Sequence, residues 1–108
     1  MPKNFHVQWT DIASADLKSI LEYIAQESPQ AAFQVLEKVQ ASGDKLKLNP
    51  ERGRFVPELK DYNVFVYREL IIKPWRLIYR YDTDNVYILA CLDSRRNLDS
   101  LLIERLIR

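Results

Sequence analysis

Residues 53–97 read GRFVPELKDYNVFVYRELIIKPWRLIYRYDTDNVYILACLDSRRN, and this stretch decides the fold. Three apolar runs, Val64–Lys73, Trp75–Tyr81 and Val86–Leu92, follow one another with short polar breaks. Each is rich in β-branched and aromatic residues, the composition of strands. Asp82, Thr83, Asp84 and Asn85 make a tight polar turn between the last two. Pro74 cannot donate to a ladder, so it marks the junction of the first two or a bulge. Val86–Leu92 is apolar on both of its faces, as expected of an interior strand covered from two sides. No helix-length segment separates the three runs, so they form an antiparallel meander rather than a parallel sheet. Arginines punctuate it at Arg68, Arg76, Arg80, Arg95 and Arg96.

Upstream, Phe5, Val7 and Trp9 alternate with His6 and Gln8, the period of a half-buried strand. Thr10 is placed to cap a helix reaching about Gln26, with Ala13, Leu17, Ile20, Leu21 and Ile24 on its apolar stripe. Ser28 caps a second helix that has Pro29 in its first turn, where a missing N–H costs nothing. Ala32, Val35, Leu36, Val39, Leu46 and Leu48 mark its buried side, and Gly43 is a candidate bend. Asn49-Pro50 ends this helical hairpin, and the segment to about Val64, with Gly53 and Pro57, reads as a loop. A last helix carries Leu98, Leu101, Leu102, Arg105 and Leu106 on one side, with Asn97 as its cap. The expected fold is α+β in the order β-α-α-β-β-β-α. An antiparallel sheet of about four strands carries the helical hairpin on one face and the short C-terminal helix near its edge.

Composition sets the limits. The 108 residues make one domain, 1–108, with room for a single core. No apolar run approaches the ~20 residues needed to span a bilayer, and 1–9 contains no apolar signal core, so a membrane role is not expected. The single cysteine, Cys91, has no internal partner, which fits a reducing, cytoplasmic setting. Net charge is +1, yet its distribution is uneven. Residues 1–44 hold three lysines, no arginine and six acids, a balance of −3; residues 45–108 hold thirteen cations and nine acids, a balance of +4. Every arginine lies in the second part, which points to an anionic partner, nucleic acid or acidic peptide, beside the plainer reading of solvated, salt-bridged faces.

An ordered set of short motifs now carries a resemblance. Ala13, Asp16, Leu17, Ile20, Tyr23 and Ile24 in the first helix are followed by Ser28, Pro29 and Ala32 at the start of the second. Leu46, Pro50, Gly53 and Arg54 then lead into Pro57-Glu58-Leu59, Tyr67-Arg68-Glu69-Leu70 and Trp75-Arg76-Leu77-Ile78-Tyr79-Arg80, with Arg95-Arg96-Asn97 beyond. Over nearly its whole length the chain resembles toxins of the RelE/ParE superfamily, from bacterial type II toxin–antitoxin pairs. The resemblance implies an antitoxin partner whose tail occupies a groove on the toxin. Candidate contacts are Leu21, Ile24 and Phe33 on the hairpin, with Arg68, Arg76 or Arg80 as anchors for acidic side chains. Operator DNA would be reached only through the antitoxin.

The superfamily divides by target. Its ribonucleases cut messenger RNA on the ribosome with the 2′-hydroxyl as nucleophile, a reaction that needs a base, an acid and cations around the phosphate. By resemblance, Arg76 stands at the phosphate-stabilising position, Arg68 among the basic residues of the preceding strand, and Arg95 or Arg96 at that of a second arginine. The proton-transfer groups are missing: Leu70 stands where a second lysine can occur, and 93–102 offers no His, Tyr or Lys. Arginine keeps its proton at neutral pH. This chemistry favours the ParE-like branch, whose members poison DNA gyrase without a hydrolytic site; ribosome-dependent messenger RNA cleavage is the alternative. The other candidates have plainer readings. His6 lies far from the acid–base position, Cys91 reads as a small core residue, and Asp82 with Asp84 are explained by turn chemistry. One His and one Cys do not make a metal site, two glycines make no phosphate loop, and no cofactor is expected.

Overall fold

Thr10 and Ser28 start the two helices as read from the sequence. In the computed structural model, which describes residues 3–107, the Thr10 hydroxyl accepts from Ala13 N–H at 3.2 Å and the Ser28 hydroxyl from Ala31 N–H at 3.1 Å. Met1, at the start of the segment read for a signal core, and Arg108, one of the second part's arginines, lie outside the described residues. Helix α1 spans Asp11–Ala25 and α2 spans Pro29–Asp44. The second helix runs through Gly43 without breaking and continues as a 3-10 turn, Lys45–Lys47. Gly43 is buried, and a Cβ there would stand 3.4 Å from Ile88 Cδ1, so the small residue lets α2 approach the sheet. Leu46 is buried as expected, whereas Leu48 lies past the helix and is exposed.

The sheet has five strands in the order β1-β5-β4-β3-β2: β1 His6–Trp9, β2 Arg54–Phe55, β3 Arg68–Ile72, β4 Trp75–Tyr81 and β5 Asn85–Asp93. The α+β class, the hairpin, the antiparallel meander and the C-terminal helix all stand. Two features extend the sequence reading. Strand β1 joins β5 in parallel, and β2, within the segment read as loop, pairs antiparallel with β3 through Arg54↔Glu69 and Phe55↔Arg68. The run expected to be a strand from Val64 begins four residues later, at Arg68. A one-turn helix α3, Pro57–Lys60, precedes it, and Asn63 takes a left-handed φ of 58°, so the backbone turns away from the sheet before entering β3.

The sheet separates two apolar clusters. Val39, Leu46, Leu77, Tyr79, Val86 and Ile88 pack with α1 and α2 on one face; Val56, Leu59, Ile78, Ala90, Leu92 and Leu102 pack with α3 and α4 (Asp99–Leu106) on the other. Strand β5 contributes to both, as its two-sided apolar pattern implied. Its register slips by one residue against β4: Tyr79 faces Ile88 and Ile78 faces Ala90, leaving Leu89 as the extra residue of a bulge. The expected cap of the last helix is displaced. Asn97 Oδ1 accepts from Asp99 N–H at 3.2 Å, while Leu98 occupies the cap position without a side-chain bond.

Candidate functional site

Strand alternation puts Arg76 on the face opposite Trp75 and Leu77, and there it meets two carboxylates. Its Nε donates to Glu69 Oε1 at 2.6 Å, and Nη1 and Nη2 donate to Glu58 Oε2 and Oε1 at 2.6 and 2.7 Å. Glu69, from β3, is itself buried and also accepts from Arg54 Nε at 2.7 Å. The result is a chain Arg54–Glu69–Arg76–Glu58 running from solvent across the sheet, with Arg76 only 6% exposed. The Glu58 carboxyl is held below its ordinary range chiefly by the Arg76 hydrogen bonds, and the same bonds raise the Arg76 guanidinium further. Every nitrogen of Arg76 is therefore engaged by a carboxylate.

The other arginines are held differently. Arg68 Nη1 donates to the carbonyls of Gly53 and Glu51 at 2.9 and 3.2 Å, and its guanidinium lies 4.1 Å from the Phe55 ring centre. It fastens the loop before β2. Beside it, the buried Tyr79 hydroxyl accepts from Gly53 N–H at 2.9 Å and donates to Pro50 C=O at 2.6 Å. A Cβ on Gly53 would come within 2.6 Å of the Glu69 carbonyl, so only glycine fits this passage. Arg80 stacks over Tyr87 at 4.7 Å.

Arg95 and Arg96 belong to a separate place, a cleft of about 600 Å³ at the outer edge of β5. Ile20, Tyr23 and Ile24 of α1 form one wall, with Leu98 and Leu101 opposite. Its floor is tied together by Asp16, whose carboxylate accepts from Arg105 at 2.7 and 3.0 Å and from the backbone N–H of Cys91 at 3.1 Å. Asp93 is pulled down to about 2, mainly by the side chain of Arg95, which it holds at 2.8–2.9 Å. Burial pushes the Cys91 thiol, at the base of this cleft, up to about 12.

The sequence-based site residues are thus not one constellation. Arg76 is under Glu58 and Glu69, Arg68 is bound to a loop, Arg80 lies on Tyr87, and Arg95 with Arg96 line the cleft. Ile24 also lines the cleft, Leu21 a shallower groove beside Trp9 and Ala32, and Phe33 stands exposed on α2. Sequence reading missed Tyr23, 76% exposed and aimed at no core, together with Asp16 and Arg105 as the bracket under the cleft. The signal was available: Tyr23 lies off the apolar stripe of α1, and Arg105 lies on the apolar stripe of α4.

The family model for the ParE toxin of type II toxin-antitoxin system, parDE, matches residues 7–98. The chain belongs to this ParE toxin family. It is also similar to Toxin RelE2 of Caulobacter vibrioides, 36% identical over 80 residues, which covers 74% of this chain and 83% of that protein. In three dimensions it resembles a chain from the chromosomal ParDE TA system of P. aeruginosa with a TM-score of 0.67, covering 82% of this chain and 95% of that one. At 22% identity that likeness concerns the fold alone. As a ParE-family toxin, the chain places its meander and helical hairpin inside the matched region, while all of α4 lies beyond it.

Proposed function

We propose that this ParE-family toxin inhibits DNA gyrase in the cytoplasm, acts by binding rather than hydrolysis, and is neutralised by a cognate antitoxin. The observation that carries the reading is the capture of Arg76. A phosphate-stabilising arginine must turn donors toward developing negative charge, and here each nitrogen is already bonded to Glu58 or Glu69. Recruiting it for phosphate would leave two carboxylates behind, one of them fully buried. The chemistry around Asp93 points the same way. Its carboxylate, held near 2, is ionised at neutral pH and has no proton to give. The antitoxin reading rests on family membership and on the apolar cleft rimmed by arginine, which suits an acidic tail.

The test pairs two assays on the purified chain. Gyrase supercoiling should be inhibited, and cleaved DNA should accumulate with the enzyme, while toeprinting on programmed ribosomes should reveal no new cuts. Codon-specific cuts made by the native chain, and absent from a matched preparation without it, would instead establish messenger RNA cleavage. That second reading is kept because the Caulobacter relative is named RelE2.

A further inference from the structure

Strand β1 is an edge of the sheet, and its outer side is left unpaired over two residues. His6 N–H donates to the Asp84 carbonyl at 2.9 Å and Thr10 N–H to the Ile88 carbonyl at 3.1 Å, so both face inward, toward β5. The N–H and C=O of one strand residue point to the same side, and alternate residues repeat it. Phe5, Val7 and Trp9 therefore turn their backbone groups outward. Phe5 N–H is satisfied at 2.7 Å by the Lys47 carbonyl, which sets the 3-10 turn Lys45–Lys47 against the start of the strand. At the other end the chain leaves the sheet as α1. Val7 and Trp9, between these two limits, have no such partner among the described residues. From His6 to Trp9 there is no lysine, acid or proline, the residues with which edge strands discourage pairing.

The groups that flank this gap match each other. At the Phe5 end, Lys45 has no carboxylate within ion-pair distance among the described residues, and Leu48 is 64% exposed. At the Thr10 end, Asp11 has no cation within that distance among the described residues, and Ile12 is 57% exposed. We infer that β1 is a self-association edge. Two copies of the chain pair β1 with β1, antiparallel about a two-fold axis at Gln8, and join their five-stranded sheets into one. Val7 then exchanges both backbone bonds with the partner's Trp9, and Trp9 with the partner's Val7. The open groups fix this axis. An axis at Val7 would call on Phe5, already bonded to Lys47, and an axis at Trp9 would call on Asp11, already in α1. Antiparallel pairing sets the Phe5 end of one copy against the Thr10 end of the other, bringing Ile12 to the partner's Leu48 and Asp11 to the partner's Lys45. A second copy is the occupant because each end supplies what the other lacks, apolar surface for apolar surface and a cation for an acid. The inference is independent of the gyrase and antitoxin readings.

Sedimentation of the full-length chain over a concentration series is expected to show a monomer–dimer equilibrium. Amide exchange at Val7 and Trp9, read by NMR, should slow by about tenfold or more as dimer forms. Gln8→Cys tests the register. A non-hydrogen-bonded antiparallel pair sets its Cα atoms about 4.5 Å apart, within the ~4.4–6.8 Å that a disulfide spans. Under oxidant, Gln8→Cys is expected to give a cross-linked dimer, and His6→Cys, whose opposite number is Thr10, only monomer. The native Cys91 is buried and takes no part. Ile12→Glu, exposed and favourable in the first turn of a helix, is expected to weaken the dimer by about tenfold, with Phe33→Ala leaving it unchanged. A chain that stays monomeric throughout the series overturns the inference. So does a dimer that Phe33→Ala weakens and Ile12→Glu does not, or one in which oxidised Gln8→Cys fails to cross-link. Val7 and Trp9 amides that slow only on adding the protein encoded beside this chain's gene would assign the edge to that partner, which overturns it too.

Discussion

At the residue scale the decisive group is Arg76. It is charged, nearly buried and bonded to two carboxylates from different elements, so its removal strands the buried charge of Glu69. Arg76→Ala is therefore expected to destabilise the fold by about 3–5 kcal/mol, measurable as a lower urea midpoint. Changing Arg76 and Glu69 together to apolar residues should recover part of that loss. The same network sets an acid limit. Glu58 titrates below its ordinary value near 4.5 in the folded chain, so the unfolded chain binds this proton more readily. Its contribution is complete above about pH 4.5 and is lost as pH falls through the lower folded value. The stability gap between the native chain and Glu58→Gln should accordingly narrow on acidification in parallel urea titrations. Alternation alone foretold the side on which Arg76 lies. It was silent on Glu58 and Glu69, which arrive there through α3 and the β3–β4 pairing, and a strand period carries no information about partners so distant in sequence.

Among elements, α4 is held most economically. Asp16 binds Arg105 through two oxygens and closes on the Cys91 N–H, and the Tyr67 hydroxyl donates to the Leu106 carbonyl at 3.1 Å. Asp16→Ala leaves a guanidinium and a strand N–H without their acceptor, a loss of about 1–3 kcal/mol. Its effect should be concentrated in 99–106, where amide exchange should quicken while the hairpin amides keep their rates. The helix itself was legible from its apolar spacing. Strand β2 was not, because two residues are too few to display a period of two. The parallel partnership of β1 was equally hidden: alternation in Phe5–Trp9 indicates one buried face, not which neighbour supplies the hydrogen bonds. Gly53 is the readable exception in that loop. Since its place is closed by Tyr79 and the Glu69 carbonyl, Gly53→Ala should destabilise the chain by about 1–3 kcal/mol, seen as a lower melting temperature.

For the whole molecule the question is whether two clusters divided by a sheet behave as one unit. Trp9 and Trp75 both pack on the hairpin side, whereas Leu102 is fully buried on the other. Leu102→Ala should cost about 2–5 kcal/mol. If the sheet couples its faces, the unfolding midpoint read by tryptophan fluorescence will fall by the same amount as that read by far-ultraviolet circular dichroism. Separate midpoints would mean that the α4 side melts on its own. The overall architecture was readable because the helix caps, the breaks and the three apolar runs agree with one another. The functional surface was less so, since arginines scattered through a sequence reveal their number and not which of them the fold has already neutralised.

The bulge in β5 bears on how this family can change length. Leu89 has no opposite number on β4, and the residues on either side already alternate as though it were not there: Ile88 joins the hairpin-side cluster and Ala90 the other. Excising Leu89 would thus leave every later side chain on its present face, and excising Ile88 or Ala90 would do the same with Leu89 in the vacated place, whereas excising Tyr87 or Cys91 would carry an apolar residue to the wrong face. In a scan of single-codon deletions across this strand, soluble protein should be confined to positions 88–90.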